Sequence, residues 1–328
     1  MKKSLLSIYF LFVATIALAI DYKQAIVLYP NGAPDDNGIT TPETDDNGVW
    51  NNVSVPMMYT YLPTGTAKGT ILLIPGGGYR NITYTKEGKD IAEKLIAQGW
   101  AAVVLKYRLP NGHCQIPLED ACQAMELLRE KAIQYELNPN APFGVAGFSA
   151  GGHIAAMLMT KYRSAKARPD FGLLCYPVIS MDETITHAGS RDRLLGTSHP
   201  SAQMIVEWSA DLHVDKNTPP CFIAVSQNDN TVPVDNSILM FDALNRNNVL
   251  TQMLVFPDGA HGWGGKGTSL TQRDVLEAAV FHFINIMKPQ PTQLPLIKMT
   301  TEMKRLAEGQ VQIIKNSDIY NVQGIKLE

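Results

Sequence analysis

Three short segments of this 328-residue chain carry residue types that together could run nucleophilic chemistry. The first is Gly147-Phe148-Ser149-Ala150-Gly151-Gly152, set between an apolar run at 143–146 and a helical pattern beginning near 150. A serine on so sharp a strand-to-helix turn is held in strained backbone angles with its hydroxyl exposed, which requires small neighbours. The second is Pro75-Gly76-Gly77-Gly78-Tyr79, directly after the run Ile71–Ile74. Consecutive glycines there let backbone N–H groups turn toward one point, as a developing oxyanion requires. Gly77 and Gly78 are the expected donors, with the N–H of Ala150, next to the serine, as a third. The third segment pairs a carboxylate with a histidine. Asp229 follows the run Phe222–Val225, and His261 follows Met253–Phe256. In the order Ser149, Asp229, His261, the imidazole would take the hydroxyl proton while the carboxylate fixes its tautomer.

Rival readings of these segments are weaker. A phosphate cradle at 75–79 lacks the lysine and Ser/Thr of a P-loop, and Gly-x-Gly-x-x-Gly does not fit either. Asp235 and Asp258 compete for the acid role. Asp235 sits where the next helix starts, and Asp258 is too close to His261 in sequence to reach its far nitrogen comfortably. His153 reads as a packed residue. His187, His199 and His213 fall in a long segment, 180–218, which could cap the cleft or form one wall. No Cys/His cluster has metal-site spacing, and no metal or organic cofactor is expected.

The elements that must position these loops follow from hydropathy. Continuous apolar runs at 71–74, 101–105, 143–146, 171–175, 222–225 and 253–256 suit strands covered on both faces. Helical patterns fall between them at 86–98, 118–136, 150–162, 234–247 and 270–287. The alternation predicts the α/β class, a mainly parallel sheet with helices on both faces and its chemistry at the carboxyl ends of strands.

The chain ends read differently. Lys2-Lys3, the apolar stretch Leu5–Leu18 and Ala17-Leu18-Ala19 form a signal peptide, 1–19, so an exported protein cleaved near Ala19 is expected, without stable membrane insertion. The catalytic domain is then 20–287. A proline-rich linker and tail, 288–328, carry a weak helical stretch, and the ending Ile319–Leu327 resembles the tail motif of surface-exported proteins of some Gram-negative bacteria. A strand packed on the main domain is the other reading of that ending. Export permits a Cys114–Cys122 bridge, but free thiols are the expectation for all four cysteines.

Composition sets the outer limits. With 28 Lys+Arg against 31 Asp+Glu, a formal charge of −3, the chain has no electrostatic footprint for nucleic acid. Loss of Lys2 and Lys3 takes the charge from −3 to −5, still modest, which fits an uncharged substrate. Oligomeric state cannot be read from it.

Together, Pro75-Gly-Gly-Gly-Tyr79, Lys106-Tyr-Arg-Leu-Pro110, Gly147-Phe-Ser-Ala-Gly-Gly-His153, Tyr176-Pro-Val-Ile-Ser180 and Asp258-Gly-Ala-His-Gly262 resemble the α/β-hydrolase esterases, in particular the carbohydrate acetyl esterases of the acetylxylan esterase type. The likeness runs from about Ile26 to Met287. It implies hydrolysis of acetyl esters on plant-polysaccharide fragments. Tyr79, Trp208 and Trp263 are expected at the substrate, the tryptophans stacking on sugar, with Arg80 bordering the acyl pocket. A formamidase, peptidase or general carboxylesterase using the same three residues stays open, as does a hydrolase-fold binding protein without catalysis.

Overall fold

The computed structural model describes residues 22–289 and the backbone of four strands between 302 and 327. Eight strands form the central sheet: β1 (Gln24–Val27), β2 (Met57–Tyr61), β3 (Thr70–Ile74), β4 (Ala101–Lys106), β5 (Phe143–Phe148), β6 (Gly172–Cys175), β7 (Cys221–Ser226) and β8 (Thr251–Phe256). Their spatial order is β1-β2-β4-β3-β5-β6-β7-β8. The β1–β2 and β2–β4 pairs are antiparallel, and every pair from β4 to β8 is parallel. The six predicted apolar runs are the six parallel strands. β1 and β2 were not expected, because their polar and exposed positions break the apolar run.

The helices are α1 (Asp90–Ala97), entered through a π-turn at Thr85–Lys89, α2 (Ile116–Glu130), α3 (Ala150–Thr160), α4 (Ala188–Leu195), α5 (Ala202–Trp208), α6 (Asp235–Arg246) and α7 (Arg273–Ile286). Side chains alternate across each strand, so each sheet face makes its own core. Leu72, Ile74, Val103 and Val145 pack with α2 and α3, whereas Ile71, Leu73, Ala102 and Val104 pack with α1 and α7. Burial on both faces explains why these strands read as unbroken apolar runs.

A small antiparallel sheet, 44–45, 50–51 and 81–82, ties the N-terminal segment to the loop after β3. In the tail, where a helical stretch is expected, Glu302–Ala307, Gln310–Lys315, Asp318–Tyr320 and Lys326–Leu327 instead form a four-stranded antiparallel sheet. Gln310-Val-Gln-Ile313 alternates polar and apolar residues, a strand period and not a helical one. The segment 1–19 and most of the proline-rich linker lie outside the described residues. Among the described residues no helix is long and apolar enough to cross a membrane, and all four cysteines are free thiols.

Candidate active site

β5 ends at Phe148 and α3 begins at Ala150, leaving Ser149 alone on the turn with φ +54° and ψ −121°. Such a conformation is strained for any residue with a Cβ and holds only where the surroundings over-determine it. Close packing does so here. A β-carbon on Gly151 would lie 2.1 Å from the Ile74 carbonyl oxygen and 2.4 Å from that of Pro75, so α3 sits directly against the end of β3. The turn therefore places the serine beside the glycine loop that follows β3.

Ser149 Oγ lies 2.8 Å from His261 Nε2, and His261 Nδ1 lies 2.7 Å from Asp229 Oδ2. The other oxygen of Asp229 accepts the backbone N–H groups of Thr231 and Val232, each at 2.9 Å. With the carboxylate anchored and buried, the imidazole it holds presents its far nitrogen to the serine. Asn228 Oδ1 accepts the N–H of Ala260 at 2.8 Å and fixes the histidine loop to the β7 loop. The competitors lie elsewhere. Asp235 is the first residue of α6, and Asp258 is bonded to Thr271.

Gly77, at φ +129°, and Gly78, at φ +62°, turn the glycine loop beside Ser149. Among the described residues no hydrogen bond takes up the N–H of Gly77, Gly78 or Ala150. Ala150 opens α3, where the first N–H groups have no intrahelical partner. Gly76 differs, since its N–H donates to Glu87 Oε2 at 2.7 Å.

Two of the sequence-derived substrate contacts are corrected by burial, and a third turns inward. Trp263 is 2% exposed and its indole N–H donates to Ser226 Oγ at 3.1 Å, within the core. Trp208 closes α5, is buried, and packs beneath Lys161. Neither ring lines the cleft. Proximity in sequence to His261 misled for Trp263, because the glycine-rich chain turns back into the core after the histidine. Tyr79, at φ +57° and 3% exposed, sends its hydroxyl to His153 Nδ1 at 2.6 Å. His153 Nε2 lies 2.7 Å from the Trp208 carbonyl, which can only accept, so Nε2 carries the proton and Nδ1 accepts from Tyr79. Burial pushes His153 down to about 4, keeping it neutral. This chain of bonds ties the glycine loop after β3 to α3 and to the end of α5.

Other residues escaped sequence reading. Glu87, 4% exposed, also receives Thr83 Oγ1 and, at 2.8 Å, the hydroxyl of Tyr176, which itself accepts the N–H of Gly264. One buried carboxylate thus links the loop after β3, the end of β6 and the histidine loop. An acid in a helical pattern reads as solvated, so nothing in the sequence marked it. His187 stands just before α4, bonds Ser190 Oγ at 2.8 Å, and lines the cleft with Gly189 and Arg193. The 180–218 segment is accordingly one wall. Burial first, then the neighbouring His261 and Arg193, hold His187 below the usual histidine range.

The cleft over Ser149 and His261 has a volume of about 480 Å³ and no aliphatic residue in its walls; glycine, serine, threonine, asparagine, histidine and charged residues line it. The BD-FAE family model matches residues 58–244, more than half of the chain. The chain belongs to the BD-FAE family. The match contains Ser149 and Asp229, with His261 beyond its end. Among curated relatives, an acetylxylan esterase of Xylanibacter ruminicola is 36% identical over 210 residues, 63% of this chain and 43% of the relative. Endo-1,4-beta-xylanase B of Butyrivibrio fibrisolvens is 34% identical over 224 residues, 63% of this chain and 34% of the relative. The chain thus spans less than half the length of either. A solved structure matches more fully: an acetyl ester-xyloside bifunctional hydrolase from Caldicellulosiruptor lactoaceticus, 30% identical, TM-score 0.65, covering 80% of this chain and 97% of that one. The α/β-hydrolase fold expected from the sequence is the fold of this BD-FAE chain.

Proposed function

We propose that this BD-FAE protein is a serine esterase that removes acetyl groups from acetylated xylan-type saccharides. The observation that carries the reading is the continuous hydrogen-bonded line Ser149 Oγ, His261, Asp229 at 2.8 and 2.7 Å. His261 takes the hydroxyl proton as Ser149 attacks the ester carbonyl, and Asp229 stabilises the imidazolium. The N–H groups of Gly77, Gly78 and Ala150 hold the oxyanion. Each such donor is worth about 3–4 kcal/mol in the transition state. As the tetrahedral intermediate collapses and the C–O bond to the sugar breaks, His261 passes the proton to the leaving sugar oxygen, and water activated by the same imidazole then releases acetate from the serine ester. A general carboxylesterase for long acyl chains is disfavoured because no leucine, isoleucine, valine, methionine or phenylalanine lines the cleft. The names of the acetylxylan esterase and acetyl ester-xyloside hydrolase relatives support the saccharide.

Acetate release from acetylated xylo-oligosaccharides, by wild type and Ser149→Ala, tests the reading. The variant should lose roughly 10⁴-fold or more in turnover. Acetate release that survives the substitution, or a wild type that a fluorophosphonate probe fails to label, would overturn it. Export after cleavage near Ala19 is the second part of the proposal, supported by the basic, apolar and small-residue order of residues 1–19. The N-terminal residue of the protein recovered from expressing cells tests it, and a retained Met1-Lys2-Lys3 would reject it.

A further inference from the structure

The formal charge of −3 hides an uneven distribution. Three cations, Arg80, Lys86 and Arg193, line the cleft that holds Ser149 and His261. Lys86 Nζ lies 3.7 Å from where a β-carbon on Gly262 would sit, and Arg193 Nη1 lies 3.7 Å from the same point on Gly78. One cation therefore stands by the histidine loop and another by the oxyanion loop. Among the described residues none of the three has a carboxylate within ion-pair distance; Arg193 donates only to the carbonyls of Gly78 and Gly189, at 3.2 and 2.7 Å. The acids nearby are already engaged. Glu87 is buried among neutral donors, Asp229 is held by His261 and backbone, and Asp192 pairs with Arg191 at 2.9 Å.

Arg80 and Arg193 also line a second hollow of about 560 Å³, where Thr40, Asn52 and Asn111 stand beside Ile39, Leu109 and the Asp192 that pairs with Arg191. The two arginines thus stand at the boundary between the hollow and the reactive cleft. Hydroxyl- and amide-bearing walls suit a saccharide, and guanidinium groups with free N–H donors suit a planar carboxylate, which they bind in bidentate fashion. We propose that Arg80 and Arg193 form a subsite for a carboxylate on the substrate, so that the preferred saccharide is acidic and carries a uronate close to the ester. The ester-bearing sugar lies at Ser149, the uronate meets the two arginines, and the rest of the chain continues into the second hollow. Lys86 adds to the local positive potential from the opposite rim. The proposal rests on the hydrolase reading above, and its test uses ligands without esters so that the two fail separately.

Calorimetric binding compares a glucuronate-substituted xylo-oligosaccharide with the unsubstituted one of equal backbone length. The probes are applied to wild type and to the Arg80→Gln/Arg193→Gln double variant. In wild type at low salt the acidic ligand should bind roughly tenfold tighter or better. The preference should collapse in the double variant and shrink as salt rises in wild type, since exposed charges are screened. Reading the ratio of the two ligands within each protein removes any general loosening from the lost Arg193–Gly78 bond. The salt series needs no variant and decides the matter if the double variant does not fold. Equal affinities in wild type, failure of the acidic ligand to bind, or a preference unchanged by both substitution and salt would overturn the subsite. Labelling of Ser149 by a fluorophosphonate reads the hydrolase proposal independently.

Discussion

His153 shows how a residue outside the reacting set governs the site. Its imidazole is held neutral by burial, donates to the Trp208 carbonyl and accepts from Tyr79, the residue that ends the oxyanion loop. The folded pKa, about 4, lies below the ordinary histidine value of 6.5. Between these limits the unfolded chain binds more protons than the folded one, so stability rises with pH through that window. It is fully present above about pH 6.5 and is lost as pH falls toward 4. The loss is on the order of 3 kcal/mol. Denaturant unfolding at pH 7 and pH 4.5 should show that fall, and His153→Gln should lower stability at pH 7 while flattening the difference. An equally steep fall in the variant would assign the acid sensitivity elsewhere. Ser149, Asp229 and His261 were legible because strained turns and strand-end loops restrict residue type. Glu87, Tyr176 and Arg193 were not, because their partners are 11, 88 and 115 residues away in the chain.

At the scale of elements, the site depends on α3 lying against the end of β3. Gly151→Ala would place a methyl group 2.1 Å from the Ile74 carbonyl oxygen. That atom is backbone and cannot swing away, so α3 must move from β3. Ser149 and Ala150 would then shift from Gly77 and Gly78. The expected result is a kcat/KM at least about a hundredfold lower, since misplacement by 1 Å is enough for that, with a lower Tm. Wild-type kcat/KM in Gly151→Ala would show that the helix and strand tolerate separation. The walls supplied by α4 and the loop after β3 make a second prediction. With no aliphatic residue lining the cleft, kcat/KM should fall from acetyl to butyryl esters of one alcohol, and a rise would mean an acyl channel opens beyond these walls. The strands and helices of the sheet were readable from apolar runs and periodicity. α4 and α5 were not, because two turns of helix are too short for a periodicity to mark, and α4 is largely polar as well.

Across the molecule, the N-terminal segment, the end of β4 and α2 are joined by one buried ion pair. Arg108, just past β4, is 1% exposed and makes bonds of 2.6–3.1 Å to the carboxylate of Asp120, which is fully buried in α2. Its guanidinium also reaches the carbonyl of Asp35. Asp120→Ala leaves that buried cation with only the more distant Glu119, at 3.9 Å, so stability should drop by about 3–5 kcal/mol, measurable as a lower urea midpoint at unchanged slope. A change within ±0.5 kcal/mol would mean water replaces the carboxylate. By itself the sequence determined the alternating α/β order and pointed to the three residues that the structure joins in one hydrogen-bonded line, because both rest on local rules: strand and helix periods, and turns that admit only small neighbours. Only the tertiary structure decided which side chains face the cleft. It turned Trp208, Trp263 and the Tyr79 hydroxyl inward, and it gathered Arg80, Lys86 and Arg193 around Ser149 on a chain whose total charge is negative. Charge and burial at a site depend on which distant segments the fold brings together, and that is not written in the neighbours along the chain.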